Sequence, residues 1–147
     1  MTQKMAALML LLLIMTVVPI SGKCVQCELS HQLGKDEQLR KGDYLLSENG
    51  NFKAIFQDDG NFVVYGWKPV WASNTDGLHN ADHLIMQSDS NLVAYKTDGK
   101  AMWHTGTYTD INSFKDCVLQ LRNDGTLIVE RDGHEVWSSA KSQGLKV

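Results

Sequence analysis

The stretch QDDGNFVVY, at residues 57–65, returns as QSDSNLVAY at residues 87–95. Both copies contain the pattern Gln-x-Asp-x-Asn-x-Val-x-Tyr, while the residues between the fixed positions differ. A spacing of two is the period of a β-strand, so the pattern predicts five side chains on one face of a strand. Two identical copies favour a shared function over the ordinary solvated face of a sheet. The shared residues are Gln57, Asp59, Asn61, Val63 and Tyr65 in the first copy, and Gln87, Asp89, Asn91, Val93 and Tyr95 in the second.

The two copies belong to a longer repeat that occurs three times, at about 42–75, 81–106 and 115–140. Each unit is interpreted as a strand, a polar turn, a second strand, another polar turn and a third strand that contains Trp. Helical 3.6-residue apolar periodicity is missing after residue 22. The sequence therefore predicts an all-β domain of three similar sheets. Its hairpin signals are Asn49-Gly50, Asp59-Gly60, Asp98-Gly99, Asp124-Gly125 and Asp132-Gly133.

Alternation along the second strand of each unit also predicts the core. One Trp per unit, at Trp71, Trp103 and Trp137, is expected to pack near a pseudo-threefold axis. Trp67 breaks this series and is expected to be exposed. The side chains expected to point inward are Phe62 and Val64, Leu92 and Ala94, and Leu127 and Val129.

The N-terminus has the pattern of a secretory signal peptide. Lys4 precedes an almost wholly apolar run from Met5 to Val18, which is shorter than the roughly 20 residues of a membrane-spanning helix. Since no second apolar run follows, a secreted protein without a membrane span is expected. The predicted organisation is a signal peptide at 1–22, an N-terminal segment at 23–32, one domain at 33–140 and a C-terminal tail at 141–147.

Charge and histidine content exclude some classes of function. The net charge is −3 and no basic cluster occurs, so a nucleic-acid partner is not expected. The five His residues are scattered. His79 and His83 lie in GLHNADH, which is interpreted as a solvated loop rather than a metal site.

Cys24 and Cys27 form a Cys-x-x-Cys pair near the predicted cleavage site. Zinc would need a second ligand pair at suitable spacing, and the sequence has none. A redox motif would need a strand followed by a helix, which is not predicted here. A structural disulfide is therefore favoured in a secreted chain. With Cys117 the number of cysteines is odd, which leaves one thiol for an intermolecular bridge or for modification.

The repeated pattern resembles the mannose-binding signature of the bulb-type, or monocot mannose-binding, lectins. KPVWASNTDG, at 68–77, is similar to that family's link between repeats, and the resemblance covers roughly 33–139. The signal peptide and YGWKPVWAS, at 65–73, are most similar to the fish mucus members of the family, of the pufflectin type. The resemblance implies a β-prism II fold, in which three four-stranded antiparallel sheets surround a pseudo-threefold axis.

The resemblance also implies a shallow mannose site at each intact motif. Asp59 and Asn61 would hydrogen-bond the axial O2, Gln57 would reach O3, Tyr65 would donate to O4, and Val63 would lie against the C3–C4 edge. Carboxylate, amide and phenol groups suit sugar hydroxyls, which donate and accept. These residues require no metal or cofactor, and a site with so few contacts should bind in roughly the millimolar range. The second site would repeat the roles with Asp89, Asn91, Gln87, Tyr95 and Val93.

The third repeat departs from the pattern. Arg122, Asp124, Thr126, Ile128 and Glu130 stand at the five positions, so only the Asp is kept. Glu130 replaces the phenol by a charge, and Thr126 cannot offer both amide functions. A structural sheet without mannose binding is expected there.

The sequence is thus interpreted as a secreted lectin for mannose-rich glycans and glycoproteins, including those of microbial surfaces, in mucosal or innate defence. Homodimers could form through the C-terminal strand or through Cys24 or Cys27. The alternative is a non-enzymatic protein-interaction module on a lectin scaffold that has lost sugar binding. An enzyme is not favoured, because glycoside cleavage needs two carboxyl groups across a cleft and flat sheets rarely form one.

Overall fold

Thirteen short strands form in residues 30–147, the part of the chain that the computed structural model describes. The predicted signal peptide at 1–22, together with Cys24 and Cys27, lies outside these residues. The described residues contain no helix long and apolar enough to cross a membrane. The strands are β1 Gln32–Gly34, β2 Gln38–Arg40, β3 Tyr44–Leu46, β4 Lys53–Phe56, β5 Phe62–Tyr65, β6 Pro69–Ala72, β7 Ala81–Met86, β8 Leu92–Lys96, β9 Ala101–His104, β10 Cys117–Leu121, β11 Leu127–Arg131, β12 His134–Ser138 and β13 Leu145–Lys146.

The strands form three antiparallel sheets. The first sheet has the order β3-β4-β5-β6, the second β2-β7-β8-β9 and the third β1-β10-β11-β12. All four strands of the first sheet lie within the first repeat at 42–75, whereas the second and third sheets take three strands from one repeat and their fourth strand, β2 or β1, from the segment before the repeats. The prediction of three four-stranded antiparallel sheets is confirmed. The C-terminal strand β13 adds a fifth strand to the second sheet by pairing with β9.

The inward faces of the three sheets meet in one apolar core. Each predicted pair on β5, β8 and β11 is at most 2% exposed, so the predicted alternation is confirmed. Polar turns connect the strands, and all five predicted Asx-Gly pairs lie in hairpin connections with their glycines at positive φ. Turn chemistry and alternation in the sequence therefore agree with the observed sheets.

Three tryptophans pack against one another where the sheets converge. The ring centroids of Trp71, Trp103 and Trp137 lie 5.8–6.3 Å apart, and each pair meets edge to face. This geometry is the favourable one for aromatic rings. The predicted axial cluster is confirmed, and Trp67 is fully exposed, as expected.

The segment at 141–147 covers this tryptophan cluster. The indole N–H of Trp71 donates to the carbonyl of Ser142 at 3.1 Å, and that of Trp103 donates to the carbonyl of Gln143 at 2.7 Å. Gly144 lies flat against Trp103, where a Cβ would come within 2.4 Å of the ring. The C-terminus is therefore packed onto the core through backbone carbonyls before it enters β13.

Gly60 and Gly99 offer a matched test of how tightly the first motif is packed. Both have positive φ, 85° and 79°, but a Cβ at Gly60 would lie 2.6 Å from the carbonyl oxygen of Leu78, while Gly99 has open space. Gly99→Ala should lower the free energy of unfolding by about 1 kcal/mol, the cost of a left-handed Ala. Gly60→Ala adds a clash with backbone and should cost about 2 kcal/mol or more. Urea unfolding measures both, and equal losses would contradict this close packing.

Candidate functional site

The five motif residues do not lie along a single strand, so that prediction is wrong. Gln57 to Asn61 form the connection between β4 and β5, and only Val63 and Tyr65 lie on β5. The Gly60 N–H donates to the Gln57 carbonyl at 3.0 Å, and the Gln57 N–H donates to the Asn61 carbonyl at 2.9 Å. The connection ends in Gly60 at a left-handed φ of 85°, the arrangement of a three-residue hairpin loop. The turn residues Asp59-Gly60 therefore interrupt the strand, although the spacing of two continues in the sequence.

The hairpin nevertheless brings the polar groups of each motif together. The amide nitrogen of Gln57 donates to the phenol oxygen of Tyr65 at 2.9 Å, and Gln87 donates to Tyr95 at the same distance. Because each phenol oxygen accepts from the glutamine, its own hydrogen remains available to an external acceptor. No hydrogen bond within residues 30–147 engages the glutamine side-chain oxygen, which can accept from a ligand.

The motif Asp closes the turn with one oxygen. Oδ1 of Asp59 accepts from the backbone N–H of Asn61 at 2.9 Å, and Oδ1 of Asp89 accepts from Asn91 at the same distance. This bond fixes the direction of the carboxylate. Within the described residues the other carboxylate oxygen has no hydrogen-bond partner, so it can accept from a ligand hydroxyl.

The motif Asn fastens the hairpin to the segment that follows the next strand. Oδ1 of Asn61 accepts from the Ser73 hydroxyl at 3.0 Å and from the Thr75 N–H at 3.2 Å. This leaves the amide NH₂ group as the part of Asn61 that can donate outward. Asn91 is held in the same way, by the Thr105 hydroxyl at 3.2 Å, the Gly106 N–H at 3.0 Å and the Thr107 N–H at 3.2 Å.

Sequence reasoning missed these supporting hydroxyl residues. The Thr75 hydroxyl donates to the carbonyl of Gly60 at 2.7 Å, and the Thr107 hydroxyl donates to the carbonyl of Ser90 at 2.6 Å. A signal was present, since Ser or Thr occurs two and four residues after Trp71 and Trp103. In the third repeat Ser139 is kept, but Lys141 takes the second position.

The motif valines present little surface. Val63 and Val93 are each only 3% exposed, although they lie on the outer faces of their sheets. Neighbouring side chains cover them. The apolar contact implied for a sugar edge is therefore small in this conformation.

The third sheet has an ion-pair network at the corresponding positions. Arg122 lies 3.5 Å from Glu130 and 3.0 Å from Glu135, which also contacts Lys141 at 3.0 Å. The hydrogen bond from Lys141 holds the pKa of Glu135 below its usual value. Asp124 keeps the turn-closing bond, from the Thr126 N–H at 2.9 Å. This face thus presents paired charges where the other two present an amide and a phenol.

The turn of the second motif is held by the third sheet. Ser90 adopts a positive φ of 67° where the first motif has Gly60, and it is fully buried. Arg131 donates to the Ser90 hydroxyl from Nε at 3.0 Å and from Nη2 at 2.7 Å, and to the Thr107 carbonyl at 2.6 Å. The guanidinium also lies 5.3 Å from the ring of Phe114. Arg131 therefore braces the segment between Asp89 and Asn91.

His83 lies on β7, so the predicted loop is wrong at this residue. Its ring stacks on Tyr95 with centroids 5.4 Å apart, and Nδ1 lies 2.8 Å from the Asp82 carboxylate. Lys53 occupies the matching register position beside Tyr65 in the first sheet. The two motifs thus have different neighbours.

Cys117 is buried at the start of β10, and burial raises the pKa of its thiol. It forms no disulfide with another described residue. The region from 30 to 147 contains no group of three His, Cys, Asp or Glu side chains placed to hold a metal ion.

Arg131→Met should loosen the second motif and leave the first intact. The substitution removes the three hydrogen bonds that the Arg131 guanidinium donates to Ser90 and Thr107. Ser90 then loses the contact that holds it at its positive φ. If the hairpin holds a ligand, we expect its affinity at the second motif to fall about five- to tenfold, as for one lost net hydrogen bond. Amide chemical shifts of Asn61 and Asn91 during a ligand titration report each motif separately.

The exposed Lys100→Met is the matched control and should change neither motif. Equal weakening of both motifs by Arg131→Met would show general destabilisation instead of a local brace. Unchanged binding at Asn91 would show that the brace is dispensable.

Known proteins resemble this chain in sequence and in fold, although no protein-family model matches it. The B-type lectin plumieribetin of Scorpaena plumieri is 51% identical over 115 residues, which cover 78% of this chain and 98% of the relative. A mannose-specific lectin of Aloe arborescens is 32% identical over 108 residues, 73% of this chain and 94% of the relative.

Solved structures of lectins are similar to this chain in fold as well. The snowdrop (Galanthus nivalis) agglutinin, complexed with methyl-α-D-mannoside, has a TM-score of 0.63 and 32% identity over 77% of this chain and 98% of its own. A monomeric monocot mannose-binding lectin from Gastrodia elata has a TM-score of 0.67 and 31% identity, over 77% and 99%. The predicted β-prism II fold is thereby confirmed.

Proposed function

The chain belongs to the bulb-type, or B-type, lectin family, and on this premise we propose that it is a secreted mannose-binding lectin with two sites per chain. The observation that carries the proposal is the identical arrangement of both motifs. In each, the Gln side chain donates to the Tyr phenol and one Asp oxygen closes the turn onto the Asn backbone. The Gln oxygen, the other Asp oxygen, the Asn amide group and the Tyr hydroxyl hydrogen then have no partner among the described residues, and Asn91 is 7% exposed. The relatives include proteins named as mannose-specific lectins.

In each proposed site these four groups match the hydroxyls of mannose. The free oxygen of Asp59 accepts from O2 while the Asn61 amide donates to it, the Gln57 side chain reaches O3, and the Tyr65 phenol donates to O4. Asp89, Asn91, Gln87 and Tyr95 do the same in the second site. A site built around an axial O2 rejects sugars that lack it, because its polar groups would lose their partners. All contacts use side-chain atoms, so binding needs no metal.

Several weak sites that bind at the same time give a higher overall affinity than one site alone. A shallow site with about four hydrogen bonds gives an affinity of roughly millimolar, and two sites on different faces of one chain can cross-link a glycan-covered surface. Mannose-rich glycans and glycoproteins, including microbial ones, are the proposed partners. Mucosal or innate defence in the extracellular space is the proposed setting, and secretion is supported by the apolar run at residues 5–18. Dimerisation would raise the number of sites further.

Tyr65→Phe and Tyr95→Phe test the two sites one at a time. Each change removes one phenol that donates to O4 and leaves the ring in place. We expect the affinity for methyl α-mannoside to fall about fivefold at the altered site only, since a net hydrogen bond contributes about 1 kcal/mol. A titration of ¹⁵N-labelled protein with a chelator present, followed at the Asn61 and Asn91 amides, measures both sites.

Two controls accompany this titration. Methyl α-glucoside, which differs only in the orientation of O2, should bind much more weakly, and Glu130→Gln at the matching position of the third sheet should change nothing. Asn61→Ala and Asn91→Ala are not used, because each asparagine side chain accepts hydrogen bonds that fasten its hairpin to the segment after the next strand. If neither amide shifts at tens of millimolar mannoside, the proposal fails and the protein-interaction module becomes the better description.

The third sheet should gain a site when its motif is restored. Arg122→Gln, Thr126→Asn, Glu130→Tyr and Lys141→Thr recreate the groups of the first motif. One of the two supporting residues is already present, because the Ser139 hydroxyl accepts from the Leu127 N–H at 2.9 Å just as Ser73 accepts from Phe62 at 3.0 Å, and Lys141→Thr supplies the other. We expect residue 126 to report millimolar mannoside binding in the fourfold variant and none in the parent. A folded variant without binding would show that these groups are insufficient.

A further inference from the structure

A β-bulge lies beside the second motif. Where β7 pairs with β8, Ala81 is opposite Lys96 and His83 is opposite Tyr95, so Asp82 is an extra residue without a partner on β8. The equivalent pairings in the described first and third sheets, β4 with β5 and β10 with β11, keep an unbroken register. Bulges redirect side chains and are frequent next to functional sites. The bulge therefore gives the second motif surroundings that the other two sheets lack.

The bulge brings the Asp82 carboxylate to the ring of the next residue. Oδ2 of Asp82 lies 2.8 Å from Nδ1 of His83, and the two side chains are 41% and 25% exposed. An ionised carboxylate can only accept hydrogen bonds, so Nδ1 carries the proton of the neutral ring. Nε2 is then the nitrogen that gains a proton when the ring becomes charged. Asp82 thus fixes the orientation of the imidazole and leaves Nε2 as its titrating atom.

His83 in turn packs on the phenol of the second motif. The two rings are stacked, with centroids 5.4 Å apart and planes inclined by 24°. The phenol oxygen of Tyr95 also accepts from the Gln87 side chain at 2.9 Å, so both the ring and the hydroxyl are held. In the proposed site this hydroxyl donates to O4 of mannose. A change in the charge of the imidazole therefore acts directly on a group that binds the ligand.

The first motif has a different residue at this position. Lys53 is opposite Tyr65, and its ammonium group lies 4.2 Å from the centre of the Tyr44 ring. No ring of the described residues stacks on Tyr65. The third sheet has Val118 at the same position. Of these three equivalent positions, only that of His83 carries a side chain that normally changes its charge between about pH 5 and 8.

Other charged groups surround His83 on the second sheet. Arg40 pairs with it from β2, and Lys96 lies at the end of β8, so two cations oppose a further positive charge. The Asp82 carboxylate is the anion bonded to the ring. A second imidazole, that of His104, lies two strands away on β9. An experiment on His83 must therefore separate its titration from the influence of Arg40 and His104.

We propose that His83 is a positioning residue of the second site and makes the mannose affinity of that site depend on pH, whereas the affinity of the first site is constant between about pH 5 and 8. The proposal rests on the proposed function, because Tyr95 must donate to the sugar. When Nε2 is protonated, the imidazolium is attracted to the phenol ring by a cation–π interaction, which holds the ring more firmly. The positive charge also makes the Tyr95 hydroxyl a stronger hydrogen-bond donor. Acid therefore strengthens the second site alone.

Site-resolved titrations with methyl α-mannoside at about pH 8 and about pH 5.5, on either side of the usual histidine range, test this dependence. The affinity measured at the Asn91 amide should rise about threefold at the lower pH, as a modest cation–π contribution would give. The affinity measured at the Asn61 amide should stay unchanged. Both amides belong to one sample, so Asn61 is the internal control for any effect of pH on the whole protein or on the sugar.

His83→Phe keeps a stacked ring and removes the titrating nitrogen. The pH dependence at Asn91 should disappear, while the affinity at about pH 8 stays within about twofold of the parent, because the neutral stack is preserved. A merely structural role for His83 would not separate these two results. If thermal unfolding shows that His83→Phe is not folded, His83→Gln replaces it and should likewise abolish the pH dependence.

Two matched variants control for the neighbouring groups. His104→Ala places the residue of the first sheet, Ala72, at the equivalent position of the second. Arg40→Leu does the same with Leu46. Both variants should keep a higher affinity at Asn91 in acid, because each retains His83 and its bond to the Asp82 carboxylate.

The outcomes separate this proposal from the lectin function. If the mannoside binds at Asn91 with the same affinity at both pH values, or more weakly in acid, the role of His83 is overturned and the lectin function stands. The same holds if the dependence survives in His83→Phe or if both amides change equally. If the mannoside shifts neither amide at either pH, the proposed function itself fails.

Discussion

The edge-to-face packing of Trp71, Trp103 and Trp137 is the interaction on which the rest of this protein depends. Each Trp comes from the last strand of a different repeat, and the ring centroids lie 5.8–6.3 Å apart. Because all three are anchored in one cluster, the three sheets must converge at the same point. Large aromatic groups bury much apolar surface, so this contact also stabilises a domain of modest size.

The tryptophans position the functional groups through a short covalent link. Two residues after Trp71 the chain reaches Ser73, and two residues after Trp103 it reaches Thr105; these hydroxyls bond the motif asparagines. The backbone of each asparagine closes a hairpin by bonding one oxygen of the motif Asp. The other oxygen of that Asp has no partner among the described residues. The core therefore helps to hold the candidate site in place, because Ser73 and Thr105, which bond the motif asparagines, follow the clustered tryptophans by only two residues.

One scaffold carries three different surfaces. The first sheet combines the motif with Lys53 and a groove of about 480 Å³ beside Gln57, the second combines it with a stacked His83 and a brace from Arg131, and the third replaces it with the Arg122–Glu130–Glu135 ion pairs. These differences lie on the outer faces, where side chains can vary without disturbing the core. The internal repeat therefore preserves the fold while it allows each face its own chemistry.

The sequence by itself determined the all-β architecture, the three sheets, the inward residues and the axial tryptophans, because period-two alternation and Asx-Gly turns are local signals. It also identified the motif residues, but it placed them on one strand, since the same alternation continues through the turn at Asp59-Gly60. The contacts of Gln57 with Tyr65 and of Asn61 with Ser73, the bracing of Ser90 by Arg131, the stacking of His83 on Tyr95 and the groove beside Gln57 were decided only by the tertiary structure. Each of these brings together residues that are distant in the chain or on neighbouring strands, and strand register, which a single sequence does not display, determines which of them meet.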